Sequence, residues 1–278
     1  MPRDHKPRGD MPFPVVVKLS PASVDIAATC LLRYEHLHIR RDLASPPSPA
    51  AQRGMAVHRV LASYNWHAMK DNALPDPERF IDSLWSGGPA TTPDAEKSRD
   101  FMAACVRGYA HYLHFWRLRV LHAEELVPLP ARPLASNNDI AVAISGKPDV
   151  ILEAEETTSL AEAGTLLTWD IKTSHSLPLA PDLRARASTL LYRMLTAYQH
   201  PDARRILVGQ MLPQTGDDVR VELTGAEMET QQVRIRELVE RIAARTFSPT
   251  KNEGCWICPV YQAGLCPAHE QQGFGDEF

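Results

Sequence analysis

The segment TWDIKTS, Thr168 to Ser174, constrains this chain more than any other. It has the apolar residues of a buried strand, yet it carries an acid and a base two residues apart. Successive strand side chains point to opposite faces, so Asp170 and Lys172 share one face. Trp169, Ile171 and Thr173 share the other. Such a strand packs its bulky side into a core and sets a carboxylate beside an ammonium on its second side. A lone D-x-K on a surface strand is a weak salt bridge, and so short a pattern recurs by chance. Its meaning depends on what else the chain brings to that face.

Twenty-one residues upstream stands SGKPDVILE, in which Asp149 opens an apolar strand just after Gly146 and Pro148. A hairpin joining the two strands brings Asp149 near Asp170. Two close carboxylates repel unless a cation lies between them. Oxygen-rich sites of this kind suit Mg²⁺ or Mn²⁺. A lysine on the same face can then orient or help deprotonate a water, or offset charge building on a phosphate.

The remaining chain reads as alternating helices and strands. Ser20 followed by Pro21 is a helix start, continued by ASVDIAATCLLRYEHL. ASPPSPAAQRG is a linker by composition, followed by a helix MAVHRVLASYNWHAMK and a long amphipathic helix ending near HFWRL. VLHAEELVPLP, DIAVAISG, KPDVILEA and TLLTWDIKT are strand candidates, and the acidic EAEETTSLAEAG is an exposed hairpin loop. A helix over PDLRARASTLLYRMLTAYQ, two strands in RRILVGQML and DVRVEL, and a helix opened by the Thr224–Glu227 capping box complete the order. This order predicts an α/β fold, a central mixed sheet flanked by helices.

At 278 residues, 44% hydrophobic and 23% charged, the chain has the composition of a soluble globular protein. No apolar run reaches the ~20 residues that span a bilayer. MPRDHKPRGDMPFP lacks a signal-type apolar stretch, so the expectation is a cytoplasmic protein without membrane contact. A net charge of −4 argues against a surface coated with basic residues, though it leaves room for a local basic groove.

Asp149 followed by Asp170-x-Lys172 on consecutive strands resembles the PD-(D/E)XK nuclease superfamily. RGMAVHRVL, with His58 after Gly54 on an early helix, and Tyr192 in RARASTLLYRML resemble its RecB-type branch, including CRISPR-associated exonucleases. The resemblance implies a restriction-endonuclease-like core. It also implies that His58, Asp149, Asp170 and the carbonyl of Ile171 hold Mg²⁺ or Mn²⁺. Lys172 becomes the catalytic base or charge stabiliser, and Tyr192 positions the substrate or Lys172. On residues alone, His58 shares a face with Leu61, Ala62 and Asn65 and could equally be a satisfied core histidine. The family usually places a glutamine four residues before the tyrosine, where this chain has Ser188. Arg184 and Arg186 could contact phosphates in its place, and Arg33, Arg40, Arg41 and Arg53 are further candidates for contact with a nucleic-acid backbone.

Five cysteines are present, and a reducing compartment disfavours disulfides. Cys255, Cys258 and Cys266 crowd into CWICPVYQAGLCP, where three soft ligands call for a metal and a fourth ligand. Iron–sulfur members of the RecB-type branch carry one cysteine ahead of the nuclease motifs in a C-x-x-x-Tyr helix, which CLLRY resembles. That resemblance implies Cys30 as the fourth ligand of a [4Fe–4S] cluster with a structural role. Zinc satisfies four thiolates equally well, and His269 is a further possible ligand. Cys105 reads as a small buried apolar residue.

The expected organisation is a disordered tail over 1–16 and an N-terminal helical region over 17–120 carrying Cys30 and His58. A nuclease core follows over 121–246, then a cysteine tail over 247–278 that packs on the N-terminal helix as a cap. The expected function is metal-dependent hydrolysis of DNA, on single strands or free ends, in CRISPR spacer processing, phage recombination or repair. The alternative is a DNA-binding or adaptor subunit of a DNA-processing complex, beside other proteins, with little activity of its own.

Overall fold

The computed structural model describes residues 15–43, 48–85, 93–134, 136–174 and 176–267. In chain order these form β1 (Val15–Leu19), α1 (Pro21–Thr29), α2 (Leu31–Tyr34), a π-helical turn (Glu35–Arg40), α3 (Pro49–Asp71), α4 (Pro77–Trp85) and α5 (Pro93–Phe115). Then come β2 (Leu118–Ala123), β3 (Val127–Pro128), β4 (Arg132–Leu134), β5 (Asn137–Gly146), β6 (Val150–Ala154) and β7 (Leu166–Ile171). The last elements are α6 (Ala180–Ala185), α7 (Ala187–Gln199), β8 (Ile206–Met211), β9 (Asp218–Val221), α8 (Gly225–Ala243) and α9 (Pro259–Gln262). The result is a mixed α/β protein with two mixed sheets and flanking helices.

Two compact units divide the chain, and each gathers separated segments. The larger takes residues 44–127 and 146–231, around a five-stranded sheet ordered β2-β6-β7-β8-β9. β6 runs antiparallel to β2 and β7, β8 parallel to β7, and β9 antiparallel to β8. One face of the sheet carries Val150, Leu152, Leu167, Trp169 and Ile171, buried against Val57, Leu61 and Tyr64 of α3 and Val106, Tyr109 and Leu113 of α5. Close approach needs glycine at two points. A Cβ on Gly108 of α5 would come within 2.3 Å of the Pro213 carbonyl oxygen, and one on Gly209 of β8 within 1.8 Å of the Trp169 ring. The indole therefore lies directly over Gly209, its partner in the β7–β8 register.

The smaller unit takes residues 1–43, 128–145 and 232–278. Its sheet is ordered β1-β5-β3, with β1 parallel to β5 and β4 antiparallel to β5. Ser20 caps α1 in a reciprocal capping box with Ser23.

Several expectations are corrected here. The chain is already in a strand from Val15, inside the expected tail, because residues 15–19 alternate exposed and buried against β5. Positions 1–14 lie outside the described residues, as does His269. The helix begun at Pro21 breaks at Cys30, whose extended backbone (φ −163°, ψ 116°) ends α1 and starts α2. DIAVAISG and KPDVILEA lie in different sheets, since β5 pairs with β1 while β6 pairs with β2 and β7. The acidic loop is not wholly exposed: Leu160 and Ala161 are buried in the core of the larger unit. The compact units also cut across the expected divisions at 120 and 246, because strand pairing joins β5 to the start of the chain.

Candidate active site

The β6–β7 hairpin brings the two aspartates together. Val150 pairs with Trp169, so one step outward Asp149 stands opposite Asp170. Asp149 Oδ2 accepts the Ile171 backbone N–H at 2.6 Å, which fixes this carboxylate to the neighbouring strand. Its Oδ1 lies 3.3 Å from His58 Nδ1.

His58 reaches the site along α3. Gly54, one helical turn earlier on the same face, meets Thr173 so closely that a Cβ there would come within 2.9 Å of its Oγ1. That contact sets the helix against the end of β7 and delivers His58 to the aspartate. Farther along the helix, buried Asn65 accepts a hydrogen bond from Tyr109 at 2.9 Å.

Glu124 completes the group, although no sequence motif marks it. Its Oε1 lies 3.7 Å from His58 Nδ1. VLHAEELVPLP is not one strand: Glu124 adopts a left-handed conformation (φ 52°) between β2 and β3. Its N–H points to the carbonyls of Pro148 and Asp149, each at 3.2 Å. Lys147 pairs with its other carboxyl oxygen. The one signal in the sequence is an acidic pair, Glu124–Glu125, inside an otherwise apolar run.

One ligand atom each from His58, Glu124 and Asp149 lies within 4.8 Å of the others. Mixed nitrogen and carboxylate ligands at this spacing fit a divalent cation. Without an ion these groups meet one another's charge, and a bound cation would have to displace the His58 proton. The Asp149 carboxylate, and then Glu124, hold the His58 imidazolium up to about 10. Burial pushes Asp149 above the usual carboxylate range despite His58. Burial also works on Glu124, but hydrogen bonds from His58 and Lys147 outweigh it and hold that carboxyl low.

Asp170 is held from two sides. Lys172 Nζ donates to its Oδ1 at 2.8 Å, and Gln210 Nε2 donates to its Oδ2 at 2.8 Å. Lys172 and Thr173 also line a cleft of about 1040 Å³, together with Arg53, Lys97, Phe101 and Gln214.

The sequence profile of the PD-(D/E)XK nuclease superfamily matches residues 18–267. The chain belongs to this superfamily. Among curated proteins, none matches the sequence. The chain is also similar, at low identity, to two solved structures. One is the crystal structure of SSO0001, 16% identical over 91% of this chain and 86% of that one, with a TM-score of 0.48. The other is a candidate exonuclease from Eubacterium rectale, 11% identical over 94% of this chain and 90% of that one, with a TM-score of 0.45.

Within this PD-(D/E)XK nuclease, the other expected site residues are dispersed. Tyr192 is half-buried on α7 and packs against Leu166, Ile206 and Val208. Leu166 and Ile206 begin their strands, whereas Asp170 and Lys172 stand at the far end of β7. Arg184 lies 3.7 Å from Glu227, and Arg186 stands at the N-cap position of α7 with no capping bond from its side chain. Arg40 pairs with Asp42 at 2.8 Å. Arg53 alone of the named arginines lines the cleft beside Lys172, where the cation not foreseen is Lys97. Arg33 instead shares a separate cavity with Cys30, Cys255, Cys258 and Cys266. There its Nε is buried without a hydrogen-bond partner. Cys105 is buried on α5 and is not among the residues lining that cavity.

Proposed function

We propose that this protein is a Mg²⁺- or Mn²⁺-dependent deoxyribonuclease that cleaves single-stranded or free-ended DNA. The observation that carries the reading is the convergence of His58, Glu124 and Asp149 beside the Lys172–Asp170 pair, whose lysine lines a cleft with Arg53, Lys97 and Asp217. His58, Glu124 and Asp149 would hold the ion, with Asp170 and the Ile171 carbonyl beside them. A divalent ion in such a site lowers the pKa of water and neutralises charge on a phosphate. Lys172, with its ammonium paired to Asp170, offers N–H donors to the scissile phosphate. Arg53 and Lys97 hold the backbone of the strand by charge. Tyr192 then supports α7 against the sheet.

The four cysteines are assigned to a [4Fe–4S] cluster that ties α1 and α2 to the C-terminal segment. Two of their sulfurs already accept backbone N–H bonds: Cys30 from Thr250 at 3.4 Å, and Cys255 from Asn252 at 3.3 Å. The unpaired Nε of Arg33 supplies a further donor suited to a sulfur anion. Four thiolates satisfy zinc as well, so the metal content of the purified protein separates the two.

The deciding experiment is cleavage of 5′- and 3′-labelled single-stranded and duplex DNA with Mg²⁺, Mn²⁺ or EDTA, comparing wild type with Lys172→Ala. Metal-dependent cleavage by wild type alone, with DNA binding retained in the variant, is the expected result. Cleavage surviving in Lys172→Ala would remove Lys172 from the mechanism. An inert wild type that still binds DNA would favour an adaptor role.

A further inference from the structure

β8 is buried along its whole length, and Gln210 is its one amide side chain, only 6% exposed. An amide in such a place needs a partner, because a buried polar group left unpaired is destabilising. Its partner is Asp170, whose Oδ2 accepts the Nε2–H at 2.8 Å. The pairing follows from register, since β7 and β8 run parallel with Trp169 opposite Gly209 and Asp170 opposite Gln210. The indole over Gly209 fills the space that any side chain would need, so a slip of one residue would drive Val208 or Gln210 into the ring. The same slip would turn Gln210 to the opposite face.

We propose that Gln210 is a positioning residue for this nuclease: its amide fixes one oxygen of Asp170, so that the carboxylate meets the metal in one orientation. This rests on the nuclease reading above. Groups behind a metal-binding carboxylate restrict its rotation, and losing one typically reduces metal affinity or activity by about 10–100-fold. Lys172 alone cannot do this, since its flexible stem reaches both oxygens of Asp170, at 2.8 Å and 2.7 Å. The planar amide on a buried strand supplies the fixed reference.

The test compares wild type with Gln210→Met, which keeps the volume and removes the donor, and with Gln210→Asn, which keeps an amide but withdraws it from Asp170. Mn²⁺ affinity is read by calorimetry, thermal stability in EDTA, and kcat and KM on labelled single-stranded DNA. The expected result for both variants is weaker Mn²⁺ binding and lower kcat, each by about 10-fold or more. KM for DNA and the melting temperature in EDTA stay near wild type. If Met at this position prevents folding, the Asn variant decides alone. Wild-type Mn²⁺ affinity and kcat in a folded variant would overturn the assignment. So would an equal loss of stability in EDTA without a change in Mn²⁺ affinity, which would mark Gln210 as structural. Wild type that binds Mn²⁺ but cleaves nothing would refute the nuclease reading, and the Mn²⁺ affinities would still judge Gln210.

Discussion

At the scale of single residues, the site depends on where carboxylates can be held apart from water yet close together. Asp149 is 13% exposed and Glu124 19%, so neither is free to avoid the other by moving into solvent. Without a metal their charge is met by His58, and by Lys147 on the Glu124 side. Glu124→Ala should therefore weaken Mn²⁺ binding by at least ~10-fold, the order expected for losing even a supporting partner. Calorimetric titration checks this, and an unchanged affinity would exclude Glu124 from the ligand set. Asp149, Asp170 and Lys172 were legible as chemistry in the sequence, because a short polar motif inside an apolar strand marks a face; His58 was singled out only by the family resemblance. Glu124 was not, since its role depends on a left-handed bend that alternation patterns do not encode.

At the scale of elements, one register and two helix contacts decide the geometry. Gly209→Ala would force a Cβ into the buried Trp169 ring and toward the Val219 carbonyl oxygen at 2.7 Å. We expect a loss at the upper end of the ~1–3 kcal/mol usual for overpacking, seen as a lower urea midpoint, with weakened Mn²⁺ binding because Asp170 and Gln210 move with the strands. A midpoint equal to wild type would show that the indole has room to yield. The break at Cys30 is a second element-level device. Its extended backbone interrupts what sequence periodicity reads as one helix and places the thiol in the wall of the cysteine cavity. Cys30→Ser should lower bound iron and the melting temperature together, because a tie between positions 30 and 255 closes a loop that chain entropy otherwise opposes. Full iron content in that variant would remove Cys30 from the ligand set.

At the scale of the whole molecule, the active site and the cysteine cavity belong to different compact units, each assembled from separated segments. No helix among the described residues is long and apolar enough to cross a membrane. The net charge of −4 is compatible with nucleic-acid binding because the cations that matter are local, in the cleft beside Lys172. Replacing Arg53 and Lys97 together by alanine should weaken single-stranded DNA binding at low salt. It should also flatten the dependence of log K on log salt by about 1.4, at ~0.7 for each phosphate that is no longer neutralised. Fluorescence anisotropy across a salt series measures both. An unchanged slope would mean the strand takes another path.

The sequence by itself determined the chemistry available: alternation put Asp170 and Lys172 on one face, helical spacing put Gly54 and His58 on one side of α3, and clustering set three cysteines close together. These are short-range consequences of strand and helix periods. The tertiary structure alone decided which distant groups join them. Gln210 lies forty positions beyond Asp170 and meets it only because β8 pairs with β7 in the register fixed by Trp169 over Gly209. Arg33 and Arg53 are alike in sequence, yet one faces a cysteine cavity and the other the cleft beside Lys172. The reason is that a side chain's partners are set by strand order and helix approach, which arise from burial across the whole chain.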